Sequence, residues 1–199
     1  MSHRYQILQD TSLEEFVKFW AEAYDYPSDS LYTKNIGQPL TKERIHELFI
    51  WKNGGKLSRL KEKSVSDYYV SSISKLETIP KDTLPDQWLK DFGKGGAIWN
   101  IFFLHIWNPK FPIFDQHVFR AMRFIETGKV LEIPSAKDKK TEFYLSEYRP
   151  FYSRLETELK SSDPRDLDRA LWKFGQFLKW LKPPTENEAD KNSEWQSTA

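Results

Sequence analysis

An almost unbroken apolar run from Ala97 to Trp107 (Ala-Ile-Trp-Asn-Ile-Phe-Phe-Leu-His-Ile-Trp) constrains this chain more than any other segment. A segment apolar on every side has no face to give to water, so the rest of the fold must surround it. Gly93, Gly95 and Gly96 precede it, and Pro109 and Pro112 follow it. Its length and continuity suit a buried central helix, although periodicity alone also allows a buried strand.

The surrounding pattern is helical. Ser12 and Glu15 form a capping-box pair ahead of Phe16, Val17, Phe19, Trp20 and Ala23. Pro27, Gly37 and Pro39 mark a loop over about 25–40, and Thr41 is placed to cap a helix carrying Ile45, Leu48, Phe49 and Trp51. Ser66 opens a helix with Val70, Ile73 and Leu76, and Pro85 starts a short one with Trp88, Leu89 and Phe92. Val118, Ala121, Met122 and Ile125 predict a helix ending near Gly128. Residues 129–140 read as a loop and 141–160 as a helix that Pro150 divides. Asp163-Pro164 begins a last helix with Leu167, Leu171, Phe174, Leu178 and Leu181 on one face. Gly175 within that face signals close approach of a neighbouring helix. The expectation is an all-α domain over 1–182 followed by a disordered acidic tail over 183–199.

Composition narrows the function classes. The chain has no cysteine, so disulfides, thiolate nucleophiles, cysteine zinc sites and cysteine-held iron–sulfur clusters are excluded. His3, His46 and His105 share no metal-ligand spacing, and no metal is expected. Thirty basic residues against 29 acidic ones give no global announcement of nucleic acid. The opening Met1-Ser2-His3-Arg4 has no apolar signal core, and no apolar run approaches the ~18 residues of a membrane span. An intracellular protein with no membrane contact is expected. The sequence carries no Walker-type phosphate loop and no Gly-x-Ser-x-Gly elbow.

The chemistry concentrates between Leu84 and Arg123. Gly93-Lys94-Gly95-Gly96 between two helices can turn backbone amides towards an anion, and the N-terminus of the following helix adds partial positive charge. A DNA phosphate is a natural guest, and a plain helix–helix turn is the other reading of the same glycines. Asp115 follows Phe111-Pro112-Ile113-Phe114 and precedes a helix. It can cap that helix, and capping would also fix its carboxylate to stabilise positive charge developing on a deoxyribose.

Residues 93–123 resemble the core of the helix–hairpin–helix DNA glycosylase superfamily. Gly93 and Gly95 match the hairpin's Gly-x-Gly, and Asn100 matches an Asn frequent early in the next helix. Pro112 falls in the loop, and Asp115-Gln116-His117-Val118-Phe119-Arg120 resembles the signature Val-Asp-x-His-Val-x-Arg. The match from Gly93 to Arg120 needs no gap. Leu171-Trp172-Lys173-Phe174-Gly175 is similar to a glycine-containing late helix of the family. The resemblance implies a two-lobed helical fold with double-stranded DNA across a central cleft, extrusion of a damaged or mispaired nucleotide, and a catalytic role for Asp115. It implies a monomer acting in base-excision repair without a cofactor. Where bifunctional members carry a Schiff-base lysine, this chain has Ala97, which implies a monofunctional hydrolase without strand cleavage. The hairpin is led by Asp91-Phe92 instead of Leu-Pro, so a noncatalytic DNA-binding module on the same scaffold is the alternative. A protein-interaction domain is a third reading.

Further contacts are expected around these. Lys42, Arg44, Lys52, Lys56, Arg59, Lys61 and Lys63 stand against Glu43, Glu47 and Glu62, a local excess of four positive charges that can grip phosphates, or form an ordinary solvated face. Lys52 and Lys56 join Gly93, Lys94, Gly95 and Gly96 as the expected DNA contacts. Trp51, Trp99 and Trp107 offer rings to stack on a base or to pack the core. Asn53 and His117 are candidates for contacts near an extruded base.

Overall fold

The computed structural model describes residues 11–159 and 163–180; the tail expected over 183–199, and His3, lie outside the described residues. Every regular element among the described residues is helical. Helix α1 (Leu13–Glu22) begins at the expected capping box, with Ser12 Oγ accepting from Glu15 N and Glu15 accepting from Ser12 N. The expected loop over 25–40 contains a short helix, α2 (Asp29–Asn35). Its seven residues are too few to show a period, yet Tyr32 and Asn35 bury, and Asn35 Nδ2 donates to Glu47 at 2.6 Å. Helix α3 (Lys42–Lys52) starts at Thr41 as expected.

The next helical run begins earlier than Ser66. Ser58 caps α4 (Arg59–Ser64), which passes through a π-helical turn (Val65–Tyr69) and a short 3₁₀ turn (Val70–Ser72) into α5 (Ile73–Glu77). Val65 and Tyr69 of the π turn are both buried, and the turn's extra residue shifts the phase of the face that follows it. Helix α6 (Pro85–Phe92) leads through the glycines into α7 (Ala97–Trp107). Ile101, Phe102, Phe103 and Leu104 are each 0% exposed, so the run forms a central helix buried on every side beyond its first turn, where Ile98 and Trp99 are half-buried. Each such side chain contributes about 1.5–3 kcal/mol of burial.

Helix α8 (Gln116–Thr127) runs from Asp115 to Gly128, whose φ of 69° is the left-handed stop that glycine adopts readily. The following helix starts earlier than expected. It comprises α9 (Lys137–Phe143), a π turn (Tyr144–Tyr148) and α10 (Arg149–Glu158), with Pro150 at the start of the last segment, where its missing N–H is tolerated best. Helix α11 (Pro164–Trp180) begins where expected, with Asp163 Oδ1 accepting from Arg165 N at 2.9 Å.

Helix α11 lies between α1 and α8. Phe174 meets Phe16 and Trp20 of α1, each at 5.2 Å between ring centroids, and Phe124 of α8 at 5.9 Å. The close approach expected at Gly175 is with α8: a Cβ there would overlap the backbone carbonyl of His117. Arg120, 2% exposed, fixes the same crossing by donating to Gly175 O at 3.0 Å. The glycine thus sets how near α11 comes to the first turn of α8. A Gly175→Val substitution should cost at least about 2 kcal/mol, read as a fall in the midpoint of thermal or urea unfolding, because the obstacle is backbone and cannot rotate away.

Candidate active site

Three elements converge on Asp115. The loop before it is pinned twice: His105 Nδ1 lies 2.6 Å from Phe111 O, and Tyr144 Oη donates to Pro112 O at 3.2 Å. Burial pushes the His105 imidazole down to about 4, so the ring is neutral at pH 7. A carbonyl only accepts, so Nδ1 carries the proton and Nε2 accepts from Tyr32 Oη at 2.7 Å. At the end of this loop Asp115 caps α8, with Oδ1 accepting from His117 N at 2.8 Å and Val118 N at 3.3 Å. Oδ2 accepts from Lys52 Nζ at 3.0 Å. The two side chains are 17% and 6% exposed, respectively. Burial opposes ionisation of Asp115, but the Lys52 ammonium and the cap amides outweigh it and hold the carboxyl below its usual range. It is a carboxylate at neutral pH.

Asp115 and Lys52 form part of the wall of a narrow recess with Tyr24, Tyr26, Trp51, Ile113, Val118, Arg165, Asp168 and Trp172. The rings pack on one another: Tyr26 lies 5.0 Å from Trp172 and 5.3 Å from Trp51, and Tyr24 lies 5.5 Å from Trp172. The unfilled volume is about 20 Å³, roughly one water. Burial and the nearby Asp115 and Asp29 carboxylates push the Tyr26 phenol up to about 12, so it stays a neutral donor, here to Trp51 O at 2.8 Å.

Behind the rings lies a charged hub. Asp29 accepts from Arg165 at 2.7 Å, Arg169 at 3.0 Å, Tyr24 at 3.0 Å and Trp51 at 3.2 Å. The Arg165 guanidinium also covers the Tyr32 ring at 4.1 Å. Asp168, 7% exposed, lines both the recess and an adjoining cavity of about 850 Å³. Its Oδ1 has no hydrogen-bond partner among the described residues. Burial pushes its carboxyl up to about 7 despite Arg165, at 3.9 Å from Oδ2. An unpartnered buried carboxyl oxygen is an open acceptor for a donor on a ligand.

The sequence-predicted residues separate into groups. Asp115, Lys52 and Trp51 meet at the recess, but Lys52 is a buried partner of the carboxylate, so its ammonium is withdrawn from the surface grip expected of it. Trp51 is 5% exposed and packs with Tyr32 and Phe102 as well. Trp107 is buried against Trp88 and Phe111, away from the recess. Trp99 packs on Phe49, and Asn53 is turned into its own loop, donating to Gly55 O and Lys56 O; neither lines the recess. His117 stands beside it, 5.0 Å from the Trp172 ring, with Nδ1 accepting from Arg120 at 3.3 Å. Burial lowers its imidazole pKa, and neutral His117 suits that acceptor role.

Lys56 and Lys94 are exposed. At the hairpin, Asn100 Oδ1 accepts from Gly95 N at 3.1 Å and Tyr69 Oη at 3.0 Å, while its Nδ2 donates to Gly95 O. Gly95 therefore spends its amide on the latch, and a Cβ there would strike the Tyr69 hydroxyl. Gly93 O accepts from Lys137 Nζ at 2.6 Å. Gly96 is exposed, caps α7 without a side chain, and has open space where a Cβ would stand.

Tyr24, Tyr26, Arg165 and Asp168 carry no expectation from the sequence, and Trp172 enters only through the late-helix resemblance. Arg165, Asp168 and Trp172 are spaced three and four apart along α11, on one stripe beside the apolar face. That spacing was the available signal. Among the described residues, no group of three or more His, Asp or Glu is placed to hold a metal ion. Compared with protein families, curated proteins and solved structures, the chain matches none.

The raised Asp168 carboxyl has a pH consequence. The folded state binds a proton that the unfolded chain, with a pKa of about 4, releases earlier. Stability should therefore fall as pH rises from about 4 to 7 and level off above. Asp168→Asn removes this dependence, so the variant should gain stability relative to the parent as pH rises through that window, measured by urea unfolding at pH 4.5 and 8.

Proposed function

We propose that this protein is a DNA glycosylase that hydrolyses the N-glycosidic bond of an extruded, damaged or mispaired base. One observation carries the reading: an ionised Asp115, fixed by the first amides of α8 and by Lys52, forms part of the wall of a recess built from aromatic rings. Breaking the bond from base to sugar leaves positive charge on the deoxyribose, and a preset carboxylate stabilises that charge without reorganising. The same carboxylate can orient the attacking water. Flat rings accept any base through its π-face, and Asp168 and Arg165 offer an acceptor and a donor to its edge.

The DNA-facing side follows from α7. Gly96 opens this helix, and Phe102, whose ring lies 5.7 Å from Lys52 Nζ, is roughly 9 Å further along it. A phosphate held at the amides of Gly96 and the first turn of α7 would thus lie near a sugar facing Asp115. Lys61 Nζ sits 5.9 Å from the Trp99 ring, which brings the basic segment around Lys56 to the same end of α7 as exposed Lys94. On this reading duplex DNA binds along that face of a two-lobed monomer, and the reaction needs no cofactor.

The test is a panel of duplexes carrying uracil, oxidised guanine, alkylated purines or mismatches, with alkali revealing abasic sites. Release of one base class is expected, with Asp115→Asn lowering the rate on the order of a hundredfold or more while DNA affinity stays within a few-fold. Unchanged turnover in that variant rejects the assignment. Binding without an abasic product from any duplex favours the noncatalytic module. Affinity should fall steeply with added salt, and salt-independent association would reject phosphate reading.

A further inference from the structure

We infer that Lys52 is an amine nucleophile towards the sugar aldehyde left after base removal, giving the protein a strand-cleaving lyase step. The inference rests on the glycosylase reading of the site and departs from the monofunctional expectation drawn from Ala97. That position is indeed a small buried side chain, 4% exposed. The amine at the candidate site comes from a different helix, α3. Lys52 Nζ stands 3.0 Å from Asp115 Oδ2 and lines the same recess. Its side chain is 6% exposed, and its ammonium lies 5.7 Å from the Phe102 ring. A surface phosphate contact requires an exposed amine, and Lys52 is withdrawn from that role. Its neighbour Asp115 is the base best placed to take a proton from it.

The step balances without an oxidant or a further reagent. Asp115 takes one proton from the Lys52 ammonium, and the freed lone pair attacks C1′ of the ring-opened abasic sugar. The carbonyl oxygen gains protons, one from nitrogen and one returned by Asp115, and leaves as water, so a protonated imine forms. Asp115, a carboxylate again, takes a proton from C2′, and the electrons of that bond move towards C3′. The C3′–O bond breaks with its electron pair, and the phosphate departs. Water then hydrolyses the imine and restores the amine. A buried ammonium–carboxylate pair suits this exchange because the proton has a short path both ways.

The test uses the full chain and a duplex with a preformed abasic site, so no base has to be removed first. Sodium borohydride reduces an imine to a stable amine, and the cross-linked product is digested and mapped by mass spectrometry. A covalent adduct on Lys52 is expected, together with 3′-side strand cleavage in the absence of borohydride. Lys52→Arg keeps the charge next to Asp115 and should lower trapping at least tenfold, with its fold checked by circular dichroism. Exposed Lys139→Arg, outside the site, should trap like the parent. No adduct on the parent chain, or an adduct mapped to another amine, overturns the inference, and this mapping does not depend on any variant folding. Base release from the lesion panel without trapping removes only the lyase step. Trapping at Lys52 without base release from any duplex removes the hydrolytic reading and keeps the amine chemistry.

Discussion

The ion pair between Lys52 and Asp115 ties the end of α3 to the beginning of α8, and the site's geometry hangs on it. Both partners are largely withdrawn from water, so each is tolerated because the other is present. Removing one member of such a pair leaves an uncompensated charge and typically costs about 3–5 kcal/mol. The pair is also supported by neutral structure. Helix α8 supplies two amides to Asp115, and the His105 and Tyr144 contacts hold the preceding loop so that the carboxylate arrives at that place.

A second electrostatic knot works beside the first. Asp29, in the short helix α2, gathers Arg165 and Arg169 from α11 and the polar edges of Tyr24 and Trp51. Burial raises the Asp29 pKa on its own, but Arg165, Arg169 and the tyrosine hydroxyl reverse that and keep it ionised. The consequence reaches Asp168. Arg165 is already committed to Asp29 at 2.7 Å and stands 3.9 Å from Asp168, so the second carboxylate is left half-compensated. Two acids near one recess thereby hold different protons: Asp115 is ionised, whereas Asp168 titrates near neutrality.

Much of this was legible in the amino-acid order wherever a local rule decides the outcome. The capping box at Ser12, the Thr41 cap, Pro85 at a helix start, Gly128 at a helix end and the central, buried helix over 97–107 each follow from a few neighbouring residues. Gly175 was legible as a close approach, though not its partner, His117. The π turns at 65–69 and 144–148 were hidden, because an inserted residue shifts the helical phase without a sequence mark. The site was half legible. Asp115 announced itself through its neighbours, whereas Lys52, 63 positions away, was legible only as a phosphate contact and not as the partner of that carboxylate. Asp168 and Trp172 were masked by the apolar stripe on the same helix.

The interlocked rings of Tyr24, Tyr26, Trp51 and Trp172 have a thermodynamic corollary. With space for only about one water between them, this conformation is a shut door. A guest the size of a nucleobase can be held only by the fraction of molecules in which the door stands ajar, and its observed dissociation constant is the intrinsic one divided by that fraction. Such a threshold penalises every visitor equally and so cancels from any comparison between them; on the proposed function, discrimination is left to the contacts inside the recess and to how readily each base leaves its stack.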